Sequence, residues 1–151
     1  MTVTDELYQQ VILDHNRSPR NCRKIDSPTH SAEGLNPLCG DAYTIYLVLD
    51  DDKVIRDVSF EGHGCAISKA SASLMTEALI GKPEAEALEI FQAFHEMVLG
   101  EGDADSCVLG KLSVLSGVWK YPARVKCAAL SWHAMKSALD GEAVACTEDK
   151  M

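Results

Sequence analysis

Apolar residues change their spacing twice along the chain. In residues 4–14, TDELYQQVILD, Leu7 and Val11 recur at helical spacing with Asp14 on the same stripe, Thr4 in a capping position and acidic residues in the first turn, which predicts an amphipathic helix. The periodicity fades over residues 16–37, where Pro19, Pro28, Gly34 and Pro37 stand among polar residues. That stretch reads as a long connection with room for a short strand. Residues 43–50, YTIYLVLD, are β-branched and aromatic, and after an acidic turn at 50–52 the run KVIRDVSFEG alternates. Val54, Val58 and Phe60 face one way in that run; Ile55, Asp57, Ser59 and Glu61 face the other. The two strands make a hairpin with one buried face.

After Gly64 the period becomes 3.6: Ile67, Ala70, Leu74 and Ala78 line one stripe of a helix ending near Gly81. Pro83 opens another helix through Leu99, and an acidic, glycine-containing loop occupies residues 100–105. A shorter apolar helix follows from about Cys107 to Gly117. Pro122, at a first helical position, starts the last helix, in which Val125, Ala129, Trp132, Met135 and Leu139 form the core stripe up to Gly141. Strands and helices are therefore segregated, which predicts an α+β fold with a small antiparallel sheet packed against about five helices. Residues 1–151 are expected to form a single domain, with the first few residues and the tail from about 142 flexible.

Composition narrows the function classes. A chain of 151 residues with 46% hydrophobic content matches one domain with a real core. No run approaches the roughly 18 to 20 apolar residues of a spanning helix, and the opening MTVTDELYQQ lacks a signal-peptide pattern, so a cytoplasmic protein without membrane contact is expected. A formal charge of −9 argues against nucleic acid, whose phosphates need clustered Lys and Arg. In that setting six cysteines read as free thiols, metal ligands or catalytic sulfurs rather than a disulfide framework.

Three cysteines stand out by context. Cys39 lies in the tight loop Asn36-Pro37-Leu38-Cys39-Gly40-Asp41 just before the first predicted strand, which lets Cys39 and Asp41 point to one side. Cys65 ends the corner Glu61-Gly62-His63-Gly64-Cys65 and begins a helix, where unpaired N–H groups and the macrodipole favour a thiolate. Cys127 sits in the first turns of the last helix, after Tyr121-Pro122-Ala123-Arg124-Val125-Lys126. Their spacing is not that of a zinc finger, so any shared site must be assembled by the tertiary fold. Zinc suits thiolates with a carboxylate. Three thiolates and one carboxylate around a divalent ion leave an excess of negative charge that Arg124 and Lys126 would offset. From spacing alone, a metal site and three buried structural thiols both stay open.

The segments LNPLCGD, FEGHGCAISKASAS and YPARVKCAALSW, in that order, resemble the SufU branch of the IscU and NifU N-terminal-like family, and the resemblance spans nearly the whole chain. It implies an IscU-like fold and a role in iron–sulfur cluster biogenesis. It further implies that zinc is held by Cys39, Asp41, Cys65 and Cys127, and that Cys39 is the catalytic sulfur acceptor. Cys39 would be freed when a histidine of a pyridoxal-phosphate, SufS-like cysteine desulfurase replaces it on the metal, and would then take persulfide sulfur for downstream assembly scaffolds. The alternative implied is a scaffold on which a [2Fe–2S] cluster is built and passed on. Scaffolds of the family usually carry a histidine before the third cysteine and a proline-rich segment before that. Here Lys126 precedes Cys127 and residues 121–126 lack paired prolines, so sulfur relay outranks scaffold.

Other candidates have bland readings. Cys22, Cys107 and Cys146 lack comparable contexts, and His15, His30, His95 and His133 show no partner pattern. His63 lies near the predicted pocket as either a ligand or a packed corner residue. Arg124, one helical turn before Cys127, reads as a steering or charge-balancing residue or as a solvated arginine. Phe91, Phe94, Met97, Trp132 and Met135 read as core.

Overall fold

A computed structural model describes residues 3–37, 40–101 and 108–146. Helix α1 (Val3–Arg17) precedes strands β1 (His30–Asn36), β2 (Asp41–Leu49) and β3 (Ile55–His63). Helices α2 (Ala66–Leu79) and α3 (Glu84–Val98), two 3₁₀ helices (Gly110–Leu115 and Val118–Lys120), α4 (Pro122–Leu139) and strand β4 (Val144–Cys146) follow. The α+β class holds, with an antiparallel β1–β2–β3 meander as the body of a sheet ordered β3-β2-β1-β4.

The predicted hairpin is β2–β3, in register from Ala42 opposite His63 to Leu47 opposite Val58. One face assignment is corrected: Ile55 is buried with Val58 and Phe60 rather than facing away from them. Ile55 opens β3 while its N–H bonds the Lys82 carbonyl and its own carbonyl accepts from Gly81, and the register slips between Val48 and Leu49. The pairing thus skips Arg56, and alternation breaks at this end of the strand.

β1 emerges from the stretch with the weakest pattern, because its identity comes from neighbours rather than from its own side chains. It pairs antiparallel with β2 on one side and parallel with β4 on the other. Its small residues serve α4: a Cβ on Gly34 would lie 3.1 Å from that of Ala134 and 3.2 Å from Leu130 Cδ1. The tail from 142 includes β4, which pairs with Glu33, Gly34 and Leu35.

α4 is buried nearly all round, not along one stripe, since it touches β1 and β2 on one side and α2 and α3 on the other. Its alanines and serines permit that close packing. Trp132 is fully buried at its centre. α1 starts before Thr4, which therefore lies inside the helix rather than at its cap. Ile12 and His15 face inward from α1, whereas Asp14 is exposed and pairs with Arg20 at 2.7 Å. The helix expected at about 107–117 is a 3₁₀ segment beginning at Gly110, and Cys107 lies outside the described residues. Among the described residues no helix is long and apolar enough to cross a membrane.

Candidate metal centre

The end of the hairpin and the starts of α2 and α4 meet. Gly62 makes the corner possible: its φ is +138°, and a Cβ there would fall 2.1 Å from the Ala42 carbonyl oxygen. The chain turns directly after it, so that Cys65 becomes the N-cap of α2. The Ser68 N–H donates to Cys65 Sγ at 3.4 Å, and the Ser68 hydroxyl lies 3.6 Å from it. That hydroxyl also donates to the Cys65 carbonyl at 3.0 Å and contacts the Tyr43 hydroxyl at 3.1 Å.

Asp41 opens β2 and is buried. Its Oδ1 accepts from the Cys65 N–H at 3.2 Å, which ties the start of the hairpin to the start of α2. Cys127 reaches the same point from the second turn of α4 and is 5% exposed, while Cys65 is open to solvent. The ligand atoms of Asp41, Cys65 and Cys127 all lie within 4.8 Å of one another.

The electrostatics favour an anion on Cys65. A hydrogen bond from the Cys127 thiol is the largest cause, and the Ser68 N–H and hydroxyl act in the same direction; together they outweigh burial and the nearby Asp41 carboxylate and bring the Cys65 thiol down to about 5. The same surroundings push the Tyr43 hydroxyl up to about 12, chiefly by burial. Tyr43 is thus a neutral partner of Ser68.

This donor set fits a thiophilic cation. Donors on a four-coordinate zinc sit roughly 3.5 to 4 Å apart, so the observed cluster requires little closing. Asp41 Oδ2 is buried and has no hydrogen-bond partner among the described residues, which leaves it available as a donor to a cation.

Of the four predicted ligands, Asp41, Cys65 and Cys127 converge, and Cys39 lies outside the described residues. Around them the sequence reading missed Ser68 and Asn36. Ser68 was signalled by its place three residues after an N-cap; Asn36, whose Nδ2 lies 4.0 Å from Cys127 Sγ, looked like a turn residue before proline. His63 ends β3 exposed and is not in the converging group. Cys22 is exposed, bridges to Phe60 and is not in that group, and the backbone of Cys146 falls in β4.

Beside the three donors, Ile12, Leu13, Ile67 and Arg124 line an open, largely apolar cavity of about 580 Å³ whose wall includes Cys65 and Cys127. Arg124 stacks over Tyr121, its guanidinium 5.3 Å from the ring centroid. The centre is therefore reachable from outside across an apolar floor.

The family described as NifU-like N terminal domain matches residues 7–128. The chain is 44% identical over 138 residues to the zinc-dependent sulfurtransferase SufU of Bacillus subtilis, covering 91% of this chain and 92% of that protein. It is 41% identical over 135 residues to the iron–sulfur cluster assembly scaffold protein IscU of Streptococcus pyogenes, covering 89% and 84%. A crystal structure from Fervidobacterium islandicum, of a protein named for cluster assembly scaffolding in the SUF system (FiSufU), superposes with a TM-score of 0.81 at 42% identity, covering 89% of this chain and 97% of that one.

Proposed function

The chain belongs to the NifU-like N-terminal domain family, and we propose that it is a zinc-dependent sulfur acceptor that takes persulfide sulfur from a cysteine desulfurase for iron–sulfur cluster assembly. The observation that carries the reading is the convergence of Asp41, Cys65 and Cys127 from three separate elements within 4.8 Å. Zinc would be held by these three with Cys39 as the fourth ligand, and it would supply the positive charge that keeps clustered thiolates ionised without redox chemistry of its own.

The remaining chemistry belongs to the chain. Cys65, Cys127 and Asp41 anchor the ends of α2, α4 and β2. Cys39, on the loop between β1 and β2, is the acceptor: its thiolate attacks the outer sulfur of the desulfurase persulfide, a new S–S bond forms on Cys39, and the desulfurase cysteine leaves as thiolate. No net oxidation occurs, and the proton count is unchanged. The apolar cavity beside Cys65 and Cys127 offers a floor for the partner's persulfide-bearing segment, with Arg124 at its side.

A second reading is a scaffold on which an iron–sulfur cluster is assembled as cargo and handed on. The names of the Streptococcus and Fervidobacterium relatives favour it, and identities of 41–44% on both sides do not separate the two. Lys126 immediately before Cys127 weighs for the relay. The test is metal content of untagged protein, together with stimulation of a cognate desulfurase by wild type and Cys39→Ala. One tightly bound zinc per chain, with stimulation lost in Cys39→Ala, is expected. Iron with labile sulfide, and no stimulation by the zinc form, would replace the relay with the scaffold.

A further inference from the structure

Asn36 occupies the point where the end of β1 and the start of α4 come together. It is the last residue of β1, opposite Asp41 in the sheet register, and it is 1% exposed. Its backbone carbonyl accepts the Gly40 N–H at 2.8 Å. Its side-chain Nδ2 approaches Cys127 Sγ at 4.0 Å, the outer reach of an N–H···S hydrogen bond, while Oδ1 is buried with no partner among the described residues.

Packing alone does not account for this side chain. A buried carboxamide with one end unsatisfied costs about 1–3 kcal/mol, a cost that leucine, with the same branched outline but more bulk, would not carry. What leucine lacks is the N–H aimed at sulfur. A donor directed at a metal-held thiolate draws charge off the sulfur and lowers its nucleophilicity. Cys65 differs in being open to solvent and capped by the backbone of its own helix.

We propose that Asn36 is a positioning residue of the metal centre: its amide N–H holds and quietens the Cys127 sulfur, making Cys127 a fixed anchor. The inference rests on the zinc reading above.

The test uses full-length protein loaded with cobalt(II), whose sulfur-to-metal charge-transfer band reports thiolate donation, in wild type, Asn36→Leu and Asn36→Asp. Both variants remove the N–H, and Asn36→Asp keeps the side-chain shape. The expected result is a shift of the band to longer wavelength in each, with zinc affinity about tenfold weaker, the low end of what loss of a partner behind a ligand costs. After zinc loading, peptide-mapped alkylation of Cys127 should rise relative to Cys65. In wild type loaded with cadmium-113, a scalar coupling between the ion and the Asn36 side-chain amide proton is expected, and its absence overturns the inference even if both variants fold poorly. A thiolate band in wild type that neither folded variant shifts overturns this inference and leaves the zinc reading standing. No thiolate band in wild type overturns both.

Discussion

The middle of the α2–α4 pair and its N-terminal ends are built on opposite terms. In the middle, the Ser71 hydroxyl donates to the Ala128 carbonyl at 2.5 Å and accepts from Trp132 Nε1 at 3.2 Å. Phe94 stacks on the same indole with ring centroids 4.5 Å apart. At the ends, two thiols and a buried carboxylate crowd together, and Asp41 Oδ2 and Asn36 Oδ1 are buried with no hydrogen-bond partner among the described residues. Packing a carboxylate against ionisable sulfurs costs free energy that a helix pair serving only as architecture has no reason to accept. The middle is not wholly satisfied, since Ser131 Oγ is also buried there with no hydrogen-bond partner among the described residues. An orphaned hydroxyl costs less than a carboxylate beside thiols, and the packing around Trp132 supplies the stability against which the ends are held.

The largest effect should therefore come from the middle. Trp132→Ala removes a fully buried indole and strips Ser71 of its donor. Urea unfolding of the metal-free protein should show a loss of about 3–5 kcal/mol, and the melting temperature should fall by roughly 6 to 20 °C. A loss below about 1 kcal/mol would mean that the stability lies elsewhere and the contrast is misdrawn.

Asp41→Asn should do the reverse. Asparagine keeps an oxygen for the Cys65 N–H and removes the charge buried beside the thiols. Metal-free stability should change by less than about 1 kcal/mol or rise, while zinc affinity, read by competition with a chromophoric chelator, should drop at least about tenfold, as expected for loss of a ligand when even outer partners cost that much. A variant that loses several kcal/mol without metal would place Asp41 among the supports rather than among the strained groups.

The same contrast explains what the sequence discloses. The hairpin, α2, and the contexts of Cys65 and Cys127 follow local rules of alternation, helical period, glycine corner and proline start, and each is legible. β1 is not, because HSAEGLN carries few strand formers; Ala32 and Gly34 are small because α4 lies on them. α4 is read as one stripe because Ser131, His133 and Ser137 look solvent-facing until neighbours on both sides bury them. Asp41 is legible from its place two residues after Cys39, whereas Asn36 reads as a turn residue, since its meeting with Cys127 spans ninety-one positions of sequence. Ile55 defeats alternation because the pairing with β2 skips Arg56, where the register shifts between Val48 and Leu49, and no residue pattern announces that irregularity.

The smallest effect concerns the attachment of α1 to the packed middle. His15 is 4% exposed, with Nδ1 2.6 Å from Ser73 Oγ and Nε2 3.6 Å from Glu77 Oε1. Ser73 Oγ also accepts the Arg20 N–H at 2.8 Å. Burial is the main cause that makes His15 less basic, with Arg20 and Lys111 acting in the same direction and Glu77 and Asp14 opposing. The unfolded chain therefore takes up the proton first. The contribution of neutral His15 is complete above the unfolded value of about 6.5 and is lost as pH falls from there toward the lower folded value. His15→Gln should cost about 1 kcal/mol at pH 7.5, the scale of one buried hydrogen bond, and less at pH 5.5. Burial shifts His95 in the same direction, but His95 is common to both proteins and cancels in the difference. Paired urea titrations at the two pH values read that difference directly. A gap that stays constant or widens with acid would show that His15 is not held neutral, and the join between α1 and α2 would then belong with the strained ends rather than with the packed middle.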